Sequence, residues 1–174
     1  EIDVLLTNGT IYDGKSLENR IGDIAINNGK IIDLAKNKTV TAKLVIDCTG
    51  KIICPGFIDL HNHSDNQVVA AATRANINYL LQGCTTIVTG NCGSGPVNVD
   101  KYYTEINQAG SGTNVIHLLA QGSLRRQVMG SERRKATSAE QAAMLELADK
   151  AMSAGAWGMS TGLIYVPSSY ADTA

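Results

Sequence analysis

The stretch Pro55-Gly56-Phe57-Ile58-Asp59-Leu60-His61-Asn62-His63-Ser64-Asp65 places Asp59, His61 and His63 at alternate positions after an apolar run. In an extended strand, side chains two apart point to the same face. The three polar groups therefore converge near the carboxyl end of a strand, where parallel α/β architectures build their sites. The chain has 3 histidines, and two of them stand here. Two imidazoles so placed can share a metal ion, with Asp59 as a hydrogen-bond partner that orients one of them. Taken alone, the pair is equally compatible with a satisfied structural role. Asp65, past the strand end, fits a helix N-cap or first-turn acid.

At 174 residues the chain can bury one sizeable core, with or without a small satellite. A formal net charge of -1 provides no strong field for nucleic acid or an anionic membrane surface, so neither partner is expected. No apolar run approaches the ~20 residues that span a bilayer. The first residue is Glu1 rather than Met, which indicates a processed or trimmed amino terminus. A cytoplasmic location is expected, with a periplasmic or exported one left open.

Outward from residues 55–65, the chain changes character. Before them lie short strand-like runs, "DVLLTNG", "GDIAINNGKIIDL" and "KLVIDCTGKII", punctuated by Asn8-Gly9, Asn28-Gly29 and Thr49-Gly50. Asn-Gly between apolar runs is a hairpin signal, so residues 1–54 read as a small antiparallel β unit with two Asn-Gly hairpins. After them, strands are expected near 56–62, 85–90, 114–119 and 157–161, with helices near 66–82, 99–109 and 138–154. The last helix is the clearest, because Thr137 to Glu140 fits a capping box and Gly155 a stop. On it Met144, Leu147, Ala148 and Ala151 form one apolar stripe. Such alternation argues for βαβ units and a parallel sheet. Four strands are half of an eight-stranded barrel, which takes roughly 250 residues. An open doubly wound sheet is the competitor, but its first turn would carry a glycine-rich phosphate loop instead of His-Asn-His-Ser-Asp.

Cys48, Cys54, Cys84 and Cys92 lack CxxC spacing. Cys48 and Cys54 read as small buried thiols, and Cys92, between Asn91 and Gly93, as a free loop thiol. His117, among apolar neighbours, reads as a core histidine. Residues 125–135 hold five cations and read as a solvated basic loop, or as a loop whose Arg125 holds a substrate carboxylate. Tyr165, Ser168 and Tyr170 follow the fourth strand; Tyr165 is the first choice to line a substrate pocket, with loop packing as the alternative.

"PGFIDLHNHSD" resembles the first-strand signature of the amidohydrolase superfamily, metal-dependent barrels preceded by a small β-sandwich. "QGCTTIVTGNCGSG" (82–95), "LRRQVMG" (124–130) and "AGAWGMSTGLIYVPSSYADT" (154–173) resemble its N-acyl-D-amino-acid deacylase (D-aminoacylase) branch. The hydantoinase-like branch uses a carboxylated lysine at the fourth strand, and "AWGMSTGL" has none.

The resemblance implies an α/β fold: a β-sandwich accessory unit over 1–54, then the amino-terminal half of a metal-dependent (β/α)8 barrel over 55–174, cut at Ala174 after its fourth strand. It also implies Cys92 as a metal ligand with His61 and His63, one or two zinc ions, and hydrolysis of N-acyl-D-amino acids. The proton-transferring aspartate and two further histidine ligands would come from later strands, beyond Ala174, so that no catalytic acid or base is expected within the segment. Where the family has Gly-His after the third strand, this chain has Ala120-Gln121, so Gln121 would contact substrate through its amide. The alternatives are a dihydroorotase- or hydantoinase-like enzyme, or an inactive half-barrel serving as a binding or assembly module. The 174-residue piece alone is expected to be inactive and to self-associate through its open barrel edge.

Overall fold

The computed structural model describes residues 1–33 and 40–172. Ala174, the residue at which the half-barrel is expected to be cut, lies outside the described residues, as does Leu34 at the end of the second strand-like run. The expectation of a proton-transferring aspartate beyond Ala174 therefore concerns no described residue. Contacts divide the chain into two units, Glu1–Pro55 and the remainder from Gly56.

In the first unit, β1 (Ile2–Ile11), β2 (Arg20–Asn27), β3 (Lys30–Ile32), β4 (Ala42–Asp47) and β5 (Ile52–Ile53) form one sheet, with order β3-β2-β1-β4 and β5 also on β1. Asn28-Gly29 makes the expected hairpin, with both residues at positive φ. Asn8-Gly9 does not. It lies inside β1 as a bulge, where Asn8 takes φ 59° and its amide N–H donates to the Asp23 carboxylate at 3.0 Å. An Asn that tolerates the left-handed region serves a bulge as well as a turn, and the local signal is the same for both. Nor is the sheet wholly antiparallel: β4 and β5 both pair with β1 in parallel, joined by a turn in which Lys51 N–H reaches Cys48 O. Cys48 is buried as expected, but Cys54 is exposed, and all 4 cysteines are free thiols.

In the second unit, β6 (Phe57–Asp59), β7 (Cys84–Thr89) and β8 (Asn114–His117) form a parallel sheet in sequence order. β9 (Leu119–Ala120) continues β8 after Leu118 and pairs in parallel with β10 (Met159–Ser160). Leu118 N–H donates to Thr89 O and Leu119 N–H to Gly158 O, so this strand serves one neighbour and then the other. The first strand stops at Asp59, short of the expected residue 62, because the Asp59 carboxylate accepts the His61 amide at 3.0 Å and turns the chain.

The helices are α1 (Ile77–Leu80), α2 (Val99–Ala109), α3 (Gln121–Met129) and α4 (Ser138–Ser153). The long helix expected over 66–82 is a series of turns ending in α1. Its breaker is Asn76 at φ 48°, whose buried side-chain amide donates to Thr113 Oγ1 and Ser111 Oγ. α3 occupies part of the stretch expected to be a loop. There Leu124 and Met129 bury an apolar side, a periodicity masked in the sequence by the intervening arginines. α4 carries the expected capping box, with Thr137 Oγ1 accepting the Glu140 amide and the Glu140 carboxylate accepting the Thr137 amide. Its stripe Met144, Leu147, Ala148 and Ala151 packs with Val99, Leu119, Leu124 and Ala156. A second cluster joins Val68, Ile87, Tyr102 and Ile106. Together the clusters clamp α2 and α4 onto the strands, leaving the carboxyl ends of β6 and β7 free to carry polar side chains.

Candidate metal centre

The centre is built from two segments. Beyond β6, burial alternates residue by residue: His61 and His63 are exposed while Asn62 and Ser64 are buried. Asn62 anchors this alternation, its side-chain N–H donating to Val88 O at 3.0 Å and its Oδ1 accepting the Ser64 amide at 3.1 Å. Both imidazoles are thereby held on one side, although the segment no longer pairs as a strand. The ring centroids stand 5.6 Å apart at 72°.

The second segment is the turn after β7. Gly90, Cys92 and Gly93 have φ of 79°, 56° and 71°. A Cβ at Gly90 would strike the Leu118 carbonyl oxygen, so this position excludes any side chain. Cys92 is a non-glycine residue in the left-handed region, which costs of order 1 kcal/mol and persists where surroundings hold it. The surroundings here are specific. The Asp65 carboxylate accepts the Gly90 amide at 2.8 Å, Asn91 donates to Val88 O at 2.7 Å, and Ser160 accepts the Gly93 amide at 3.0 Å while its hydroxyl donates to Gly90 O. The segment after β10 closes in as well, since a Cβ at Gly162 would strike the Cys92 carbonyl.

Under this turn lies His117, fully buried. Its Nε2 donates to Pro96 O at 2.9 Å, which leaves Nδ1 to accept from the Thr89 hydroxyl at 2.9 Å. Burial holds its pKa below the ordinary histidine value, so the ring is neutral. Tyr102 packs against it at 4.8 Å between centroids, and burial pushes the phenol pKa of Tyr102 well up. His117 is thus the core histidine expected from its neighbours.

The outcome is one donor cluster. One ligand atom each from His61, His63 and Cys92 lies within 4.8 Å of the others, and His61 Nε2 is 3.3 Å from Cys92 Sγ. Tetrahedral zinc with Zn–S of roughly 2.3 Å and Zn–N of roughly 2.0 Å sets its ligand atoms about 3.5 Å apart. The His61–Cys92 separation fits that spacing, and an exposed imidazole can rotate to complete it. Two imidazoles and a thiolate form a mixed nitrogen–sulfur set suited to zinc.

The remaining expected residues fall differently. Asp59 sits at the end of β6, but its carboxylate bonds the His61 backbone amide rather than an imidazole. Tyr165 lines a cavity of about 380 Å³ together with His63 and Cys92. Arg125 does not: it is 3% exposed, and its Nη2 donates to Arg134 O at 2.5 Å. Its neighbour Arg126 lines the cavity instead, with Ser94, Ser123 and Ser168. One residue along a helix is a rotation of about 100°, which exchanges the buried side for the open one. Gln121 opens α3, its Oε1 buried and without a hydrogen-bond partner among the described residues, and it is not among the cavity's lining residues. Among the described residues Asp65 caps no helix. Its bond to Gly90 is a contact between distant segments that no local signal announces.

A parallel β/α layer with imidazoles and a thiol gathered beyond its strand ends defines an α/β protein with a metal-ligand cluster. The chain belongs to the amidohydrolase family, whose model matches residues 44–171. It is 35% identical to N-acyl-D-aspartate deacylase of Alcaligenes xylosoxydans xylosoxydans, over 99% of this chain and 39% of that protein. It is 32% identical to the D-aminoacylase of the same organism, over 98% of this chain and 40% of that protein. The chain thus spans about two fifths of the length of these relatives. A crystal structure of D-aminoacylase superposes with a TM-score of 0.91 at 32% identity, covering 99% of this chain and 41% of that one. N-acyl-D-glutamate deacylase from Bordetella bronchiseptica, complexed with zinc and a phosphonate inhibitor, gives 0.91 at 31% identity over 99% and 40%. The mixed α/β fold resembles that of the matching two fifths of D-aminoacylase.

Proposed function

We propose that this chain is part of a longer zinc-dependent amidohydrolase that cleaves the amide of N-acyl-D-amino acids, releasing a carboxylate and the free D-amino acid. The observation that carries the reading is the gathering of His61, His63 and Cys92 within 4.8 Å at strand ends. The likeness over nearly all of this chain to proteins named N-acyl-D-aspartate deacylase and D-aminoacylase supports the substrate class. In the same reading, residues 55–174 form the amino-terminal half of a (β/α)8 barrel and residues 1–54 part of a small β-sandwich. The sequential order of the parallel strands supports the first assignment.

Zinc in such a donor set supplies Lewis-acid polarisation of an acyl carbonyl and acidification of water. His61, His63 and Cys92 would hold the ion, one or two in number. Asp59, through the His61 amide, fixes the turn that presents the first imidazole. Tyr165 lines the same cavity, where its hydroxyl can donate to a bound substrate. The carboxylate that transfers the proton to the leaving amine is assigned to none of the described residues.

The test is hydrolysis of N-acetyl-D-amino acids and their L-enantiomers by the purified full-length protein, of which this chain is a part, before and after treatment with a chelator and again after zinc is restored. Turnover of the D-substrates that is lost with the metal and regained with it is expected. Absence of turnover, or turnover indifferent to chelation, contradicts the proposal.

A further inference from the structure

The five cations between Arg125 and Lys135 are not equivalent in the fold. Arg134 is held by Glu140 through two hydrogen bonds of 2.7 and 2.8 Å, and Lys135 pairs with Asp172 at 2.7 Å. Arg133 lies 5.8 Å from the centroid of the Tyr170 ring, and Arg125 is buried against the Arg134 carbonyl. Arg126 differs from all of these. It is exposed, lines the cavity that also contains His63 and Cys92, and has no carboxylate within ion-pair distance among the described residues. Its hydrogen bond, Nη2 to Val166 O at 2.8 Å, goes to a neutral carbonyl.

That bond pins the guanidinium to the cavity wall without neutralising it. A guanidinium has five N–H donors in a planar fork that matches a carboxylate in two parallel bonds. Besides Arg126, His63 and Cys92, the lining carries no ionisable group other than the phenol of Tyr165, with the hydroxyls of Ser94, Ser123 and Ser168 beside it. A cavity of about 380 Å³ has room for a small organic acid rather than a peptide.

We propose that Arg126 binds a carboxylate of the substrate and is thereby a specificity-determining residue. The inference rests on the reading of the protein as an N-acyl-D-amino-acid deacylase. Three carboxylates meet the description: the α-carboxylate, an acidic side chain of the D-amino acid, or an acidic acyl group. Each leaves a different pattern across substrates.

The experiment compares the unaltered full-length protein with its Arg126→Gln and Arg126→Lys variants on N-acetyl-D-leucine, N-acetyl-D-aspartate and N-succinyl-D-leucine. KM and kcat are measured for each, and binding is measured by calorimetry on chelator-treated protein. Loss of a charge-assisted contact is expected to raise KM and Kd about tenfold or more in Arg126→Gln. Arg126→Lys, which keeps the charge but not the fork, is expected to recover part of the loss. An effect on all three compounds identifies the α-carboxylate, on the aspartate compound alone the side chain, and on the succinyl compound alone the acyl group. Equal KM and Kd in the unaltered and Gln proteins for every compound overturns the inference, as does absence of binding of all three by the unaltered protein. Binding without any turnover by the unaltered protein would instead count against the deacylase reading, and the calorimetry would still decide Arg126.

Discussion

The carboxylate of Asp65 accepts the backbone N–H of Gly90 at 2.8 Å, tying the segment that carries both imidazoles to the turn that carries the thiol. The two residues are 25 positions apart and on consecutive strand–loop units, so this bond sets the separation of ligands that no single element can set. The Asp65 backbone carbonyl in turn accepts from the Tyr102 hydroxyl at 3.0 Å, which fixes the segment to α2.

Asp65→Ala is therefore expected to destabilise the protein by about 1.5 to 3 kcal/mol, as loss of a partly buried hydrogen bond to a charged group does. It is also expected to loosen zinc binding. Asp65→Asn, which keeps an acceptor oxygen, is expected to recover part of both. Urea denaturation and a zinc competition titration on the two variants check this.

The imidazole pair is legible in the sequence because alternation is a property of a few consecutive residues: His61 and His63 share a side even though Asp59 ends the strand before them. α2 and α4 are legible for a related reason, since helical period and caps are local. Cys92 is legible only through family resemblance. Its place depends on Asp65, Asn91 and Ser160, contacts spanning from 3 to 70 residues. The choice between Arg125 and Arg126 turns on one step of helical phase, which a segment whose sequence reads as a loop does not supply. The Asn8-Gly9 bulge and the Asn28-Gly29 hairpin share one dipeptide, and only the strand partners distinguish them.

His117 gives a pH dependence of definite sign. Burial lowers its folded-state pKa below the unfolded value of roughly 6.5. Below that value the unfolded chain takes up a proton that the folded ring refuses, so the stabilisation is fully present above about pH 6.5 and is lost as pH falls toward the lowered folded value. His117→Gln, which can still donate to Pro96 O, is expected to lose less stability than the unaltered protein as the pH is lowered through this range. Parallel loss of stability in the two proteins on acidification would show that His117 does not titrate in this way.

Tyr165 is 57% exposed and stands in the cavity wall. In the full-length protein Tyr165→Phe removes one hydroxyl with little effect on packing, so the denaturation midpoint is expected to stay while KM for N-acetyl-D-amino acids rises by a few-fold, the equivalent of roughly 0.5 to 1.5 kcal/mol. Steady-state kinetics across a panel of D-substrates is the check, and unaltered KM values return Tyr165 to loop packing.

The most direct test of the metal centre is zinc K-edge X-ray absorption on the purified protein and on Cys92→Ala, with zinc content measured on the same samples. The arrangement of His61, His63 and Cys92 predicts a zinc–sulfur shell at roughly 2.3 Å beside imidazole nitrogens. Cys92→Ala is expected to lose that shell and to bind less zinc. A coordination shell of nitrogen and oxygen alone in the unaltered protein, or an unchanged shell and equal zinc in Cys92→Ala, would contradict the assignment.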